Sequence, residues 1–298
     1  MKKTIKTIKK YSNNFMLGHV TLNKKNINSF KIKNINKSSL FFKLPPYLNS
    51  LFKKKSKKKV YKIIHVFNVI NASLQFSFFL GNSSIRVDNI DSSWIVNMLD
   101  KVFKKSKIEN VHNIYHLKES IVKILIKSNI PLLNKRIISI EEIFNKLDFI
   151  EYGNSYLNIN HSICMLKQLV SFKQDIFFKK GLFAILISSR MMPELKKINK
   201  SYKKELFLLP VPADYQIPKV LRYFKLINLS DDFLNIIESN TIIPENSNME
   251  LNLRAATIKA CNKIAKNNNI SVDDVDSYLF MIRKKIDLQH HLCITSNY

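Results

Sequence analysis

Asp214 stands between Pro212 and Pro218 in the run Val-Pro-Ala-Asp-Tyr-Gln-Ile-Pro-Lys-Val-Leu-Arg of residues 211–222. Proline fixes φ and lacks a backbone donor, so Pro210, Pro212 and Pro218 hold this stretch out of regular structure until a helix begins at about Pro218. A carboxylate in a rigid, half-apolar turn is a candidate for tuned chemistry, such as stabilising or attacking an electron-poor carbon. An Asp that caps the following helix explains the same residue, and both readings stay open here.

Other residues with chemistry in them lie further along. Glu250 and Arg254 are four apart, the spacing of an ion pair on one helix. Asp276 lies beside the apolar face of a later helix, either a solvated carboxylate or a polar contact for a ligand. Lys179 follows two aromatic residues, Phe177 and Phe178. His290-His291 offers phosphate donors or an exposed pair. Cys164, Cys261 and Cys293 stand alone, without Cys-x-x-Cys or His-x₃-His spacing, so no zinc site is expected.

The elements that must position these residues read as helices. Only 4 Gly and 8 Pro in 298 residues argue against a loop-rich β fold. Residues 60–80 form one buried element, strand or helix by pattern, with Phe76 and Phe78 as core candidates. Ile121, Ile124 and Leu125 predict a helix over 118–130, stopped by Pro131. Ser139, with Glu142 three residues on, predicts another helix start. Ser230 caps a helix that turns Phe233, Ile236 and Ile237 inward. Asn248 caps a helix striped with Met249, Leu253, Ala256, Ala260 and Ile264, and Ser271 with Asp274 opens a further one. The predicted architecture is mainly α.

The net charge is +27, unevenly placed. Residues 1–87 carry 19 Lys or Arg and no acid; the remaining 211 residues are +8. This attracts RNA or another anionic partner, or it reflects the heavy joint use of Lys, Asn and Ile. The Lys-rich run 53–59 reads as a solvated loop without aromatic interleaving. Residues 1–15 read as a basic tail, also compatible with organellar targeting. No apolar run spans a bilayer, and the lone thiols fit a reducing compartment, so the expectation is a cytoplasmic protein without membrane contact.

Ala213-Asp214-Tyr215 with Pro218, Val220 and Leu221 resembles a signature of the queuosine salvage proteins, which are queuosine 5'-phosphate N-glycosylases. Glu250 to Ile258 resembles the family's Glu-x-x-(Ile/Leu)-Arg-Ala helix, and Val275 to Phe280 its Leu-Asp-x-x-Leu-Trp segment. The likeness is good over residues 205–298 and patchy upstream. There, Leu74 to Phe79 resembles Leu-Asn-Phe-(Ser/Cys)-Phe-Trp, and Phe177 to Gly181 resembles Phe-Tyr-Lys-Arg-Ala. The chain departs from the family at Ala72, in the region of Ile187 to Ser189, and at Met281, where the family carries acids. It also has Ser277 for a Tyr and Pro212 for a Phe.

The resemblance implies one helical domain over residues 16–298, similar to the helical DNA-glycosylase class, with a basic insertion near 53–59. It implies hydrolysis of queuosine 5'-phosphate to queuine and ribose 5-phosphate without a cofactor. Asp214 takes the carboxylate role and Lys179 the phosphate or ribose side. Asp276 takes base recognition, with Tyr215, Pro212, Phe76 and Ser277 lining the substrate, and Glu250 with Arg254 supports the turn. The partners expected are small molecules, with no stable nucleic-acid partner. Two alternatives remain: a divergent glycosylase for another base, motivated by the lost acids, and a non-catalytic RNA-binding protein of organellar-ribosome type, motivated by the charge.

Overall fold

The computed structural model describes residues 2–14, 18–32, 44–78 and 90–297. Among these the protein is mainly α-helical, as predicted, with a two-stranded ladder. The chain opens with α1 (Lys2–Asn14), β1 (Val20–Leu22), α2 (Lys24–Ser29) and α3 (Pro46–Leu51), then enters α4 (Lys57–Leu74). Next come α5 (Ser92–Lys105), α6 (Lys118–Ile126), α7 (Leu133–Lys146), α8 (Phe149–Asn154), α9 (Ile159–Leu166) and α10 (Val170–Lys173), leading into α11 (Lys179–Met191). The last third holds α12 (Leu195–Ile198), α13 (Lys200–Leu208), α14 (Gln216–Tyr223), β2 (Ile227–Leu229), α15 (Asp231–Glu238), α16 (Asn248–Asn268) and α17 (Val272–Ile282).

α4 settles the strand-or-helix ambiguity of residues 60–80 in favour of helix through Leu74; residues 79 and 80 lie outside the described residues. From Val60 to Leu74 every residue but Lys62 is buried, the pattern of a helix covered all round. α11 packs along it, with α7 and α8 closing the other sides. Lys57, Lys58 and Lys59 belong to the first turn of α4 rather than to a loop, because the apolar run behind them recruits them into the helix.

α16 organises the other side. Leu253, Ala256, Ala260 and Ile264 are buried on the expected stripe, and α1, α2, α14 and α17 pack around it. Residues 2–14 of the basic N-terminal segment form α1, whose Ile5 and Ile8 are buried in this packing. β1 pairs antiparallel with β2, Val20 opposite Leu229.

Several local expectations are corrected. The cap of α16 is Ser247, whose hydroxyl accepts from the Glu250 amide, and Asn248 is already helical. Ser139 lies inside α7 and donates to the Lys135 carbonyl. Glu142 caps a different helix, accepting from the Val170 and Ser171 amides at the start of α10. α6 ends at Ile126 rather than 130, and α14 starts at Gln216, two residues before Pro218. The Ser230 side chain makes no capping bond to α15, and Ile236 is only partly buried. The capping box at Ser271 and Asp274 forms as read.

Candidate active site

The turn before α14 is built as its prolines require. Pro210, Val211, Pro212 and Ala213 are buried, and Asp214 is half-buried at its end. Asp214 Oδ1 accepts from the backbone amides of Gln216 at 2.8 Å and Ile217 at 3.3 Å. The carboxylate therefore caps α14 and has a fixed direction. Among the described residues Oδ2 accepts no hydrogen bond, so one oxygen alone orients the group.

Arg254, fully buried on α16, ties this turn to two other segments. Its Nε donates to the Ala213 carbonyl at 3.2 Å, Nη1 to Glu250 at 3.1 Å, and Nη2 to Asp175 at 2.7 Å. Its guanidinium lies 4.8 Å from the Phe177 ring centroid. Asp175 in turn accepts from the Phe177 and Lys179 amides and so starts α11. Phe178 adopts a left-handed backbone, φ 52°, to make this entry. A Cβ at Gly181 would overlap the Phe178 ring, which is why glycine stands there.

The cap at Asp175 sets Lys179 at the first turn of α11, buried rather than on the surface. Its Nζ donates to the Gln75 carbonyl at 3.1 Å and sits 5.0 Å from the Phe183 ring centroid. Burial lowers its pKa, and the charge of Asp214 is the largest influence opposing that. Asp276 is buried on α17 rather than solvated. Its Oδ2 accepts from Arg190 at 2.6 Å, and Arg190 also holds Asp273, which in turn pairs with Lys196. Desolvation lifts the Asp276 carboxyl to about 6; Arg190 pulls it down, while Asp214 and Asp273 push it further up. Asp214, Lys179 and Asp276 thus lie within one another's electrostatic reach.

Phe76, next to the carbonyl that holds Lys179, is a buried ring shared by two cations. Arg136 lies 4.2 Å and Lys180 Nζ 4.5 Å from its centroid. Arg136 also donates to the carbonyls of Pro131, Phe76 and Ser77. Among the described residues Lys180 Nζ has no hydrogen-bond partner, and burial with the neighbouring Lys179 charge brings its pKa down to about 7. Tyr215 packs against His290, with ring centroids 4.8 Å apart; His291 is buried. Pro212 is buried within the turn, and Ser277 lies half-buried beside Asp276 without a hydrogen bond to the other candidates.

Four participants escape the sequence reading: Asp175, Lys180, Arg136 and Arg190. Asp175 was readable as a helix cap four residues before Lys179, and Lys180 as its neighbour. Nothing local marks Arg136 or Arg190: besides the nearby Pro131 carbonyl, Arg136 reaches Ser77, 59 residues away, and Arg190 reaches Asp276, 86 residues away. Two cavities lie among the described residues. One, of about 210 Å³, lies between α1 and the segment before α11; the other, of about 290 Å³, lies near Lys62 and His112. Neither borders Asp214 or Asp276. Among the described residues no group of three or more His, Cys, Asp or Glu is placed to hold a metal ion, and no helix is long and apolar enough to cross a membrane.

No curated protein matches the chain. The match to a protein family covers the part that carries the Asp214 turn, Glu250, Arg254 and Asp276, and it supports a role in queuosine salvage. Residues 200–295, about a third of the chain, match the queuosine salvage protein family.

Proposed function

We propose that the protein hydrolyses the N-glycosidic bond of queuosine 5'-phosphate, releasing queuine and ribose 5-phosphate. The observation that carries this reading is the Asp214 carboxylate, oriented by two backbone donors on one oxygen and braced through Arg254, within the field of Lys179 and Asp276.

As the bond from C1' to the base nitrogen breaks, positive charge builds on the ribose ring. Asp214 stabilises that charge or forms a bond to C1' through Oδ2. Water then supplies the hydroxyl at C1', and its proton balances the departing base. Lys179 serves the phosphate or ribose side as a charge-assisted donor. Asp276 accepts from the N1–H and exocyclic amine of the base, and Tyr215, Pro212, Phe76 and Ser277 line the substrate, the rings and proline supplying flat apolar walls.

Incubation of the purified protein with queuosine 5'-phosphate tests this directly, with mass spectrometry of both products. Appearance of queuine and ribose 5-phosphate in equal amounts supports the reading; an unchanged substrate pool contradicts it.

One observation favours a second reading, a glycosylase for a different base. Asp276 already has an oxygen engaged by Arg190, and Ser277 and Met281 stand where the resembled family has Tyr and Asp. A panel of nucleoside monophosphates separates the two, since release of another base without queuine selects the second.

A further inference from the structure

The lysines that look dispersed along the sequence converge around α1. Lys3, Lys6, Lys9 and Lys10 are exposed on this helix, which has no acidic residue. It borders the cavity of about 210 Å³, which Lys167, Lys173 and the buried Asp175 also line. At the other end of α1, Lys259 of α16 reaches the Asn13 carbonyl at 3.5 Å, and Lys263 follows one turn along α16.

The acids of these segments are all committed elsewhere. α1 contains none. The only acid of α16 is Glu250, buried against Arg254, and the only acid of residues 167–178 is Asp175, buried against the same arginine. The face therefore presents lysine ammonium groups, with no exposed carboxylate on the elements that form it.

We propose that this face binds RNA, through its phosphodiester backbone. Clustered lysines facing the phosphates release counterions and supply the affinity. An anionic membrane is the poorer fit. A helix that lies on a bilayer needs its apolar side free, and Ile5 and Ile8 of α1 are buried in the protein. This departs from the expectation of no stable nucleic-acid partner, because folding brings together lysines that the linear sequence spreads from Lys3 to Lys263. It is independent of the Asp214 chemistry.

The test is binding of the full-length protein to a fluorescent 20-nucleotide single-stranded RNA, the DNA of the same sequence, and phosphatidylserine-containing vesicles, across a salt series. A triple variant Lys6→Gln, Lys10→Gln, Lys263→Gln removes charge from the face. A second triple, Lys101→Gln, Lys105→Gln, Lys123→Gln, removes the same charge from exposed positions on α5 and α6. The expected result is RNA binding that weakens steeply with salt, a loss of about tenfold or more in the first triple, and a loss under about threefold in the second. Thermal unfolding of both triples checks that they fold; should the first fail, the single variants Lys6→Gln and Lys10→Gln replace it, with a loss of about twofold or more expected for each. Equal losses in the two triples, no loss in the single variants, tighter binding to DNA than to RNA, binding to vesicles alone, or no RNA binding at about 100 mM salt would each overturn the proposal.

Discussion

Arg254 donates from Nε to the carbonyl of Ala213, 3.2 Å away, and so holds the backbone immediately before Asp214 from a helix 41 residues further along the chain. The same guanidinium is held by Glu250 on its own helix and by Asp175 at the entry to α11. One buried cation therefore registers the candidate nucleophile or charge stabiliser against the helix that carries Lys179.

Arg254→Met leaves Asp175 and Glu250 buried without their cation. Breaking a buried pair in this way costs about 3–5 kcal/mol. Denaturant unfolding is expected to show a loss of that size. Arg254→Lys keeps the charge without the fork of donors and is expected to fold better than Arg254→Met while still losing activity. Full activity in Arg254→Lys would remove the bracing role.

Asp276 gives the site a pH dependence. Its carboxyl is raised to about 6, so it is ionised above that pH and protonated below. If it accepts from the base, kcat/KM falls as pH drops through about 6, because the protonated acid loses acceptor capacity. Asp276→Asn is expected to lower kcat/KM by about 10²-fold at pH 7 and to flatten that acid limb. A limb of unchanged position and slope in Asp276→Asn would assign it to another group.

Lys180 is predicted to cost stability where it stands. Its pKa is lowered from 10.5 to about 7, so between those values the unfolded chain holds a proton that the folded chain has lost. Stability therefore rises with pH across that window. Lys180→Met keeps the volume and removes the buried charge. It is expected to raise stability at pH 7 by about 1–3 kcal/mol and to flatten the rise, which unfolding curves at about pH 7 and 9.5 would read. A destabilised variant with an unchanged slope would contradict this.

Gly181→Ala places a methyl group against the buried Phe178 ring. Overpacking of this kind costs about 1–3 kcal/mol. The accompanying shift of the first turn of α11 is expected to reduce activity through Lys179. Gly181→Ala combined with Phe178→Ala should recover part of that stability loss relative to Phe178→Ala alone.

What was legible in the sequence was local. The proline-flanked turn announced Asp214, the stripe from Leu253 to Ile264 announced the buried face of α16, and Ser271 with Asp274 closed the capping box within one turn. What was illegible depends on distant partners. Glu142 has the spacing of a capping box with Ser139, yet its carboxylate serves α10, 28 residues away. Asp276 reads as readily as a solvated helix carboxylate until α11 brings Arg190 against it. Lys179 and Lys180 read as surface charge because lysine usually is; only the Asp175 cap and the packing of α11 on α4 turn them inward.

The measurement closest to the central claim is base release by Asp214→Asn. Asparagine keeps an Oδ1 acceptor for the Gln216 and Ile217 amides, so the cap of α14 and the fold survive while the charge is lost. The account predicts an unchanged unfolding midpoint, retained substrate binding, and release of queuine slowed by about 10³-fold or more, the scale on which a charge opposing an oxocarbenium acts. Release at the wild-type rate by a folded Asp214→Asn protein would contradict it.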